Sequence, residues 1–113
     1  MSRKSFTENN WRDDPWFKNL CKAVIACRTE RQAADFLRDV GTLTELKDWS
    51  ERLEIARRII SGKTYREITE EMGVSTTTIT RVARFLQSGS GYNRFLHKNL
   101  RHHHGTRVTS SVA

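Results

Sequence analysis

Apolar residues recur at spacings of three and four along most of the chain, and no stretch alternates strictly between apolar and polar. That periodicity belongs to amphipathic helices rather than strands. Trp16, Leu20, Val24 and Cys27 form the first stripe, with Phe17, Cys21 and Ile25 beside it. Pro15, directly after Asp13 and Asp14, suits the first turn of that helix. Thr29 with Gln32, Thr42 with Glu45, and Thr64 with Glu67 have capping-box spacing, and each pair opens a further helix. The second helix presents Ala33, Phe36, Leu37 and Val40 and is expected to stop at Gly41 in a left-handed cap. The third carries Leu46, Trp49, Leu53, Ala56 and Ile60 and ends at Gly62. The fourth is short and ends at Met72; a fifth, capped by Ser75, runs through Ile79, Val82 and Leu86 to Ser88. After the breaker Ser88-Gly89-Ser90-Gly91, the residues Tyr92, Phe95, Leu96 and Leu100 predict one more short helix.

The expectation is an all-α fold. Residues 1–12 read as a flexible segment, 13–62 as a helical dimerisation region, 63–100 as a helix-turn-helix region with a short C-terminal helix, and 101–113 as a disordered basic tail. The apolar arc over Trp16–Cys27 is wider than the surface helix of a monomer needs. Two buried faces, one towards its own chain and one towards a second copy, account for it; a centrally buried helix in a monomer is the alternative. Trp11, Trp16 and Trp49 read as packing residues, with Trp11 also able to cross a dimer seam.

Composition adds a reason for dimerisation. The chain has 113 residues, 36% hydrophobic and 29% charged, which is enough for one small domain with a thin core. The net charge of +7 is concentrated at one end. Residues 1–71 carry 14 Lys/Arg against 13 Asp/Glu, whereas residues 72–113 carry six Lys/Arg and no acid. A region of one sign suits a polyanion, most often nucleic acid. The alternative is a solvated basic surface with a loose tail. Cys21 and Cys27, six residues apart on a helix, face different sides and do not bridge each other; two thiols suit a reducing cytosol. No 18-residue apolar run and no signal peptide is present. The expected location is therefore cytoplasmic and nucleoid-associated, with no membrane partner.

Residues 64–86 have the offsets of a helix-turn-helix: Ile68, Met72, Val74, Ile79 and Val82 as packing positions, Thr69 as a small residue where the helices approach, and Gly73 at the turn. Turning Ile79, Val82, Ala83 and Leu86 inward leaves Thr76, Thr77, Thr80, Arg81, Arg84 and Gln87 outward, with no acid among them. In this motif the second helix enters the major groove, its N-terminal part nearest the bases. Ser75, Thr76 and Thr77 then offer hydroxyls and backbone N–H groups to phosphate. Thr80 can bond a base edge or meet a thymine methyl, and Arg81 or Arg84 can fork onto guanine or hold phosphate. Lys63 and Arg66, at the start of the first motif helix, are expected to touch the DNA backbone. The alternative for the threonines is surface filler, for which Glu, Lys or Gln make better helices.

The stretch RLEIARRIISGKTYREITEEMGVSTTTITRVARFLQSGSGY resembles the Trp repressor-like family, most closely its YerC/YecD-type members. The resemblance extends upstream through DFLRDVGTLTELKDWSERL and covers about residues 14–100. It implies a Trp repressor-like helical bundle, an intertwined homodimer and sequence-specific binding of double-stranded DNA by a transcriptional regulator, a repressor in its sign of action. It also implies a ligand pocket. The two arginines that clamp tryptophan in the Trp repressor match Arg52 and Arg81, and two threonines match Thr42 and Thr78. A glycine that makes room for the indole is Val82 here, and a nearby serine is Phe85. The expectation is a vestigial pocket filled by the protein's own side chains, leaving Arg81 for DNA or for a nearby acid such as Glu51. No tryptophan corepressor is expected, and any other small-molecule effector is left unnamed.

Other chemistry is weaker. His102-His103-His104, with His97 nearby, lacks the spacing of a structural metal site, so no metal or cofactor is expected. Glu70 and Glu71 are helix neighbours that point apart and are no catalytic pair. No Ser/His/Asp, Cys/His or phosphate-loop pattern is present, and an enzyme is not expected. Two other readings of the chain are a helix-turn-helix arm of a recombinase, transposase or replication initiator, and a helical protein–protein adaptor with a basic face.

Overall fold

The computed structural model describes residues 5–96, and these are all-helical, without a strand. Helix α1 spans Pro15–Ala26, α2 Glu30–Val40, α3 Leu43–Ile60, α4 Tyr65–Met72 and α5 Thr76–Ser88. Residues 91–96 are also helical (α6). The expected tail, Leu100 and the four histidines lie outside the described residues. Among the described residues no helix is long and apolar enough to cross a membrane. None of their His, Cys, Asp or Glu groups is clustered to hold a metal ion.

The chain divides into two compact units near Leu46. In the first, Asp14 caps α1 by accepting from the Phe17 N–H at 2.9 Å, with Pro15 in the first turn. Thr29 caps α2, accepting from the Gln32 N–H at 3.0 Å, while the Gln32 side chain reaches back to the Arg28 N–H at 2.8 Å. Thr42 and Glu45 exchange both capping bonds at the start of α3 (2.8 and 3.1 Å). Two sequence expectations are corrected here. Gly41 ends α2 in extended backbone (φ −109°, ψ 153°) rather than the left-handed form, because the chain turns straight into the next cap. Residues 5–13 are not a frayed end. The Thr7 N–H donates to Asn10 Oδ1 (2.9 Å), Trp11–Asp13 form a one-turn 3-10 helix, and Phe6 and Trp11 set their rings edge-on to Phe17. Those ring contacts are what the polar reading of MSRKSFTENN overlooked; Trp11 and Phe17 are half-buried, while Phe6 stays exposed.

No residue of α1 or α2 is buried in the chain; Trp16 is 66% and Ile25 81% exposed. Cys21 is exposed and Cys27 half-buried, and both are free thiols.

The second unit holds the core. Ile55, Ala56 and Ile60 of α3, Ile68 of α4, Ile79 and Val82 of α5, and Leu96 of α6 form one buried cluster. Each fully buried Ile or Leu contributes about 1.5–3 kcal/mol relative to exposure. The division between units falls within α3, upstream of the 62/63 boundary read from the sequence, because the later turns of α3 supply three of these core residues. Gly62 (φ 98°) and Gly73 (φ 73°) are the two left-handed glycines among the described residues, and they end α3 and α4.

Candidate nucleic-acid interface

The α4–turn–α5 segment is built by local bonds. Thr64 and Glu67 form a complete capping box, with the Thr64 N–H donating to Glu67 Oε1 (2.8 Å) and the Glu67 N–H to Thr64 Oγ1 (3.1 Å). Gly73 then takes the left-handed conformation that an L side chain resists. Ser75 caps α5 by accepting from the Thr78 N–H at 3.2 Å, and the Ser75 and Thr78 hydroxyls lie 3.0 Å apart. Ile68 and Ile79 are fully buried, and Val82 nearly so.

The opposite side of α5 is exposed at each predicted position: Thr76, Thr77, Thr80, Arg81, Arg84 and Gln87. Ser75 takes the Thr78 N–H, and the N–H groups of Thr76 and Thr77 have no acceptor within the helix. Hydroxyls, orphan N–H groups and two guanidiniums therefore share one acid-free face. The division among the threonines is sharper than the sequence reading. Ser75 and Thr78 spend their hydroxyls on the cap, and only Thr76, Thr77 and Thr80 present theirs outward.

Lys63 and Arg66 sit at the start of α4, as expected, but each has an acidic partner. Lys63 Nζ lies 2.8 Å from Glu71 Oε2, and Arg66 Nε lies 3.5 Å from Glu70 Oε2. The Arg66 pair is highly exposed, so it costs little to open towards another anion. The Lys63 pair belongs to a network that the sequence reading missed. Glu71 also takes Arg58 Nε at 3.1 Å, and Arg58 reaches Glu54 at 2.7 Å. Hydrogen bonds from Lys63 and then Arg58 hold the Glu71 carboxyl below its ordinary range, and the bond to Glu71 raises Lys63. No sequence pattern marks Arg58–Glu71, since its two members are 13 residues apart.

A cavity of about 520 Å³ borders the same helix. Arg52 and Leu53 of α3, Arg81, Val82 and Phe85 of α5, and Tyr92 and Phe95 of α6 line it. Four of the six residues matched to a ligand pocket are thus brought together. Thr78 is not in its lining, being engaged with Ser75; Thr42 belongs to the first unit, where it caps α3. The expected filling is also corrected. Val82 turns its bulk into the core (1% exposed), while Phe85, 44% exposed, forms a wall, so the space stays open. Glu51 pairs with Lys47 rather than Arg81. The sequence reading missed Tyr92 and Phe95, which only the return of α6 brings to this site. Burial raises the Tyr92 hydroxyl above its ordinary range, and the positive charges of Arg52 and Arg81 oppose that shift.

Comparison with known proteins agrees with this architecture. Residues 16–100 match the family described as Trp repressor protein. The chain is 35% identical to the protein YerC of Bacillus subtilis (strain 168) over 71 residues, covering 63% of this chain and 68% of YerC. A crystal structure of a TrpR like protein from Eubacterium eligens ATCC 27750 superposes with a TM-score of 0.73 at 33% identity, covering 87% of this chain and 97% of that one. A second solved structure, from Staphylococcus aureus, gives 0.75 at 31% identity, covering 82% and 94%. With its all-helical fold, its motif and this match over most of its length, the chain belongs to the Trp repressor family of helix-turn-helix DNA-binding regulators.

Proposed function

We propose that the protein is a sequence-specific transcriptional regulator that binds double-stranded DNA as a homodimer, acts as a repressor, and does so without tryptophan as corepressor. The observation that carries this reading is the outward face of α5, where Thr76, Thr77, Thr80, Arg81 and Arg84 stand exposed with no acid among them. Phosphate contacts from hydroxyls, N–H groups and arginines set the register, and Thr80 with Arg81 or Arg84 reads the base edges. The dimer is supported by the apolar residues that α1 and α2 leave exposed, among them Trp16, Val24, Ile25 and Val40. Large apolar side chains left exposed in this number suit an association face. Two α5 helices about 34 Å apart then read a pseudo-palindromic site.

Selecting bound sequences from a random duplex pool tests this directly. The expected product is two inverted half-sites about one helical turn apart. Failure to enrich any sequence argues for the adaptor reading. The open cavity favours a second reading, a regulator that responds to a small ligand with an anionic group for Arg52 and Arg81 and an apolar body. Calorimetry with tryptophan tests the corepressor: no heat of binding is expected, and measurable binding restores the tryptophan-responsive repressor.

A further inference from the structure

The last turn of a helix leaves four carbonyls without partners in the helix. In α5 that end is held by a side chain from the next element. Gly89 leaves the helix in extended backbone (φ −88°, ψ 169°). A Cβ there would lie 2.8 Å from the Phe85 carbonyl oxygen, so the exit admits no side chain without movement. The chain then turns into α6, and Asn93 Nδ2 donates back to the Leu86 carbonyl at 2.6 Å and the Gly89 carbonyl at 3.2 Å. Both partners are acceptors, so the amide must present its nitrogen to them. Asn93 is half-buried, and its neighbours fix it. Leu96 sits in the core, and Tyr92 packs against the same cluster. α6 is therefore anchored, and through Asn93 its position is passed to the C-terminal turn of the helix that carries Arg81 and Arg84.

We propose that Asn93 is a positioning residue for DNA reading, setting the pose of α5 so that its side chains meet base edges. The proposal rests on the DNA-binding function above. Base-edge bonds tolerate displacements of about half an ångström, whereas charged contacts with phosphate tolerate far more. Loosening the end of α5 should therefore cost sequence discrimination before it costs general affinity. A residue that only stabilises the fold has no such signature.

The test compares the full chain with Asn93→Leu and Asn93→Ala, which remove the donor without adding a charge. Affinity is measured for the site selected from the random pool and for a random duplex, with salt titrations, well below the melting temperature of each variant. The expected result is about a tenfold loss on the selected site, the size of one or two net hydrogen bonds, with random-duplex affinity and salt slope unchanged. A lower melting temperature with both affinities intact, or an equal fall in both, overturns the proposal. If Asn93→Leu does not fold, Asn93→Ala carries the same comparison. A wild-type chain that binds neither duplex sinks the DNA-binding function itself, and this proposal with it.

Discussion

Thr69 on α4 carries a buried hydroxyl with no hydrogen-bond partner, the one such side-chain atom among the described residues. Leaving a buried donor unmade is costly, and alanine is also the better helix former. Thr69→Ala is expected to raise stability by about 1 kcal/mol in denaturant titrations and leave DNA affinity unchanged. A loss of stability would mean that the methyl packs better than the hydroxyl harms. Glu71 gives a pH test. Its folded pKa is depressed by Lys63 and Arg58, so its contribution is present above the unfolded carboxylate value and is lost as pH falls through the folded value. Wild type should therefore lose stability on acidification below about pH 4, and Glu71→Gln should lose less over the same interval. Equal slopes would remove Glu71 from the account. Thr69 stood out in the sequence because it is the small residue where the motif helices approach, a place where alanine is more usual. Glu71 did not, because its partners are distant in the chain and one of them, Arg58, lies on another helix.

Elements whose rules are local were legible, and those that depend on returns of the chain were not. The three threonine caps, the stops at Gly62 and Gly73, and the inward stripe of α5 follow from spacings of three and four within one segment. Gly41 has the same residue type at a helix end but extended backbone, because its conformation is set by the cap that follows. The N-terminal segment looked polar, yet Phe6 and Trp11 meet Phe17, 11 and six residues further along the chain. The cavity was half legible: the resemblance pointed to Arg52 and Arg81, while Tyr92 and Phe95 arrive only when α6 folds back. Two substitutions probe the local rules. Thr64→Ala removes one half of the α4 capping box and should cost about 1 kcal/mol by thermal melting. Gly73→Ala forces a Cβ into the left-handed region, with open space around it, and should cost about 1–2 kcal/mol from backbone strain alone. A neutral Gly73→Ala would show that the turn adjusts.

For the whole molecule, charge and apolar surface lie at different ends of the sequence. The acid-free residues after Glu71 include the face of α5, and the exposed apolar residues of α1 and α2 precede them. The proposed dimer gives both a purpose: association through the first unit and DNA through the second. Ile25→Asp places a charge on the apolar surface, and it should yield monomers by sedimentation and weaken binding to a two-half-site duplex. A dimer that survives this change would move the association face elsewhere. Whether the outward face of α5 reads DNA is decided by affinity against salt for wild type, Arg81→Ala and Arg84→Ala on the selected site. Log affinity is expected to fall steeply and linearly with log salt in wild type, and at least one arginine variant to lose about 1–3 kcal/mol. Unchanged affinity in both variants, or binding indifferent to salt, would contradict it.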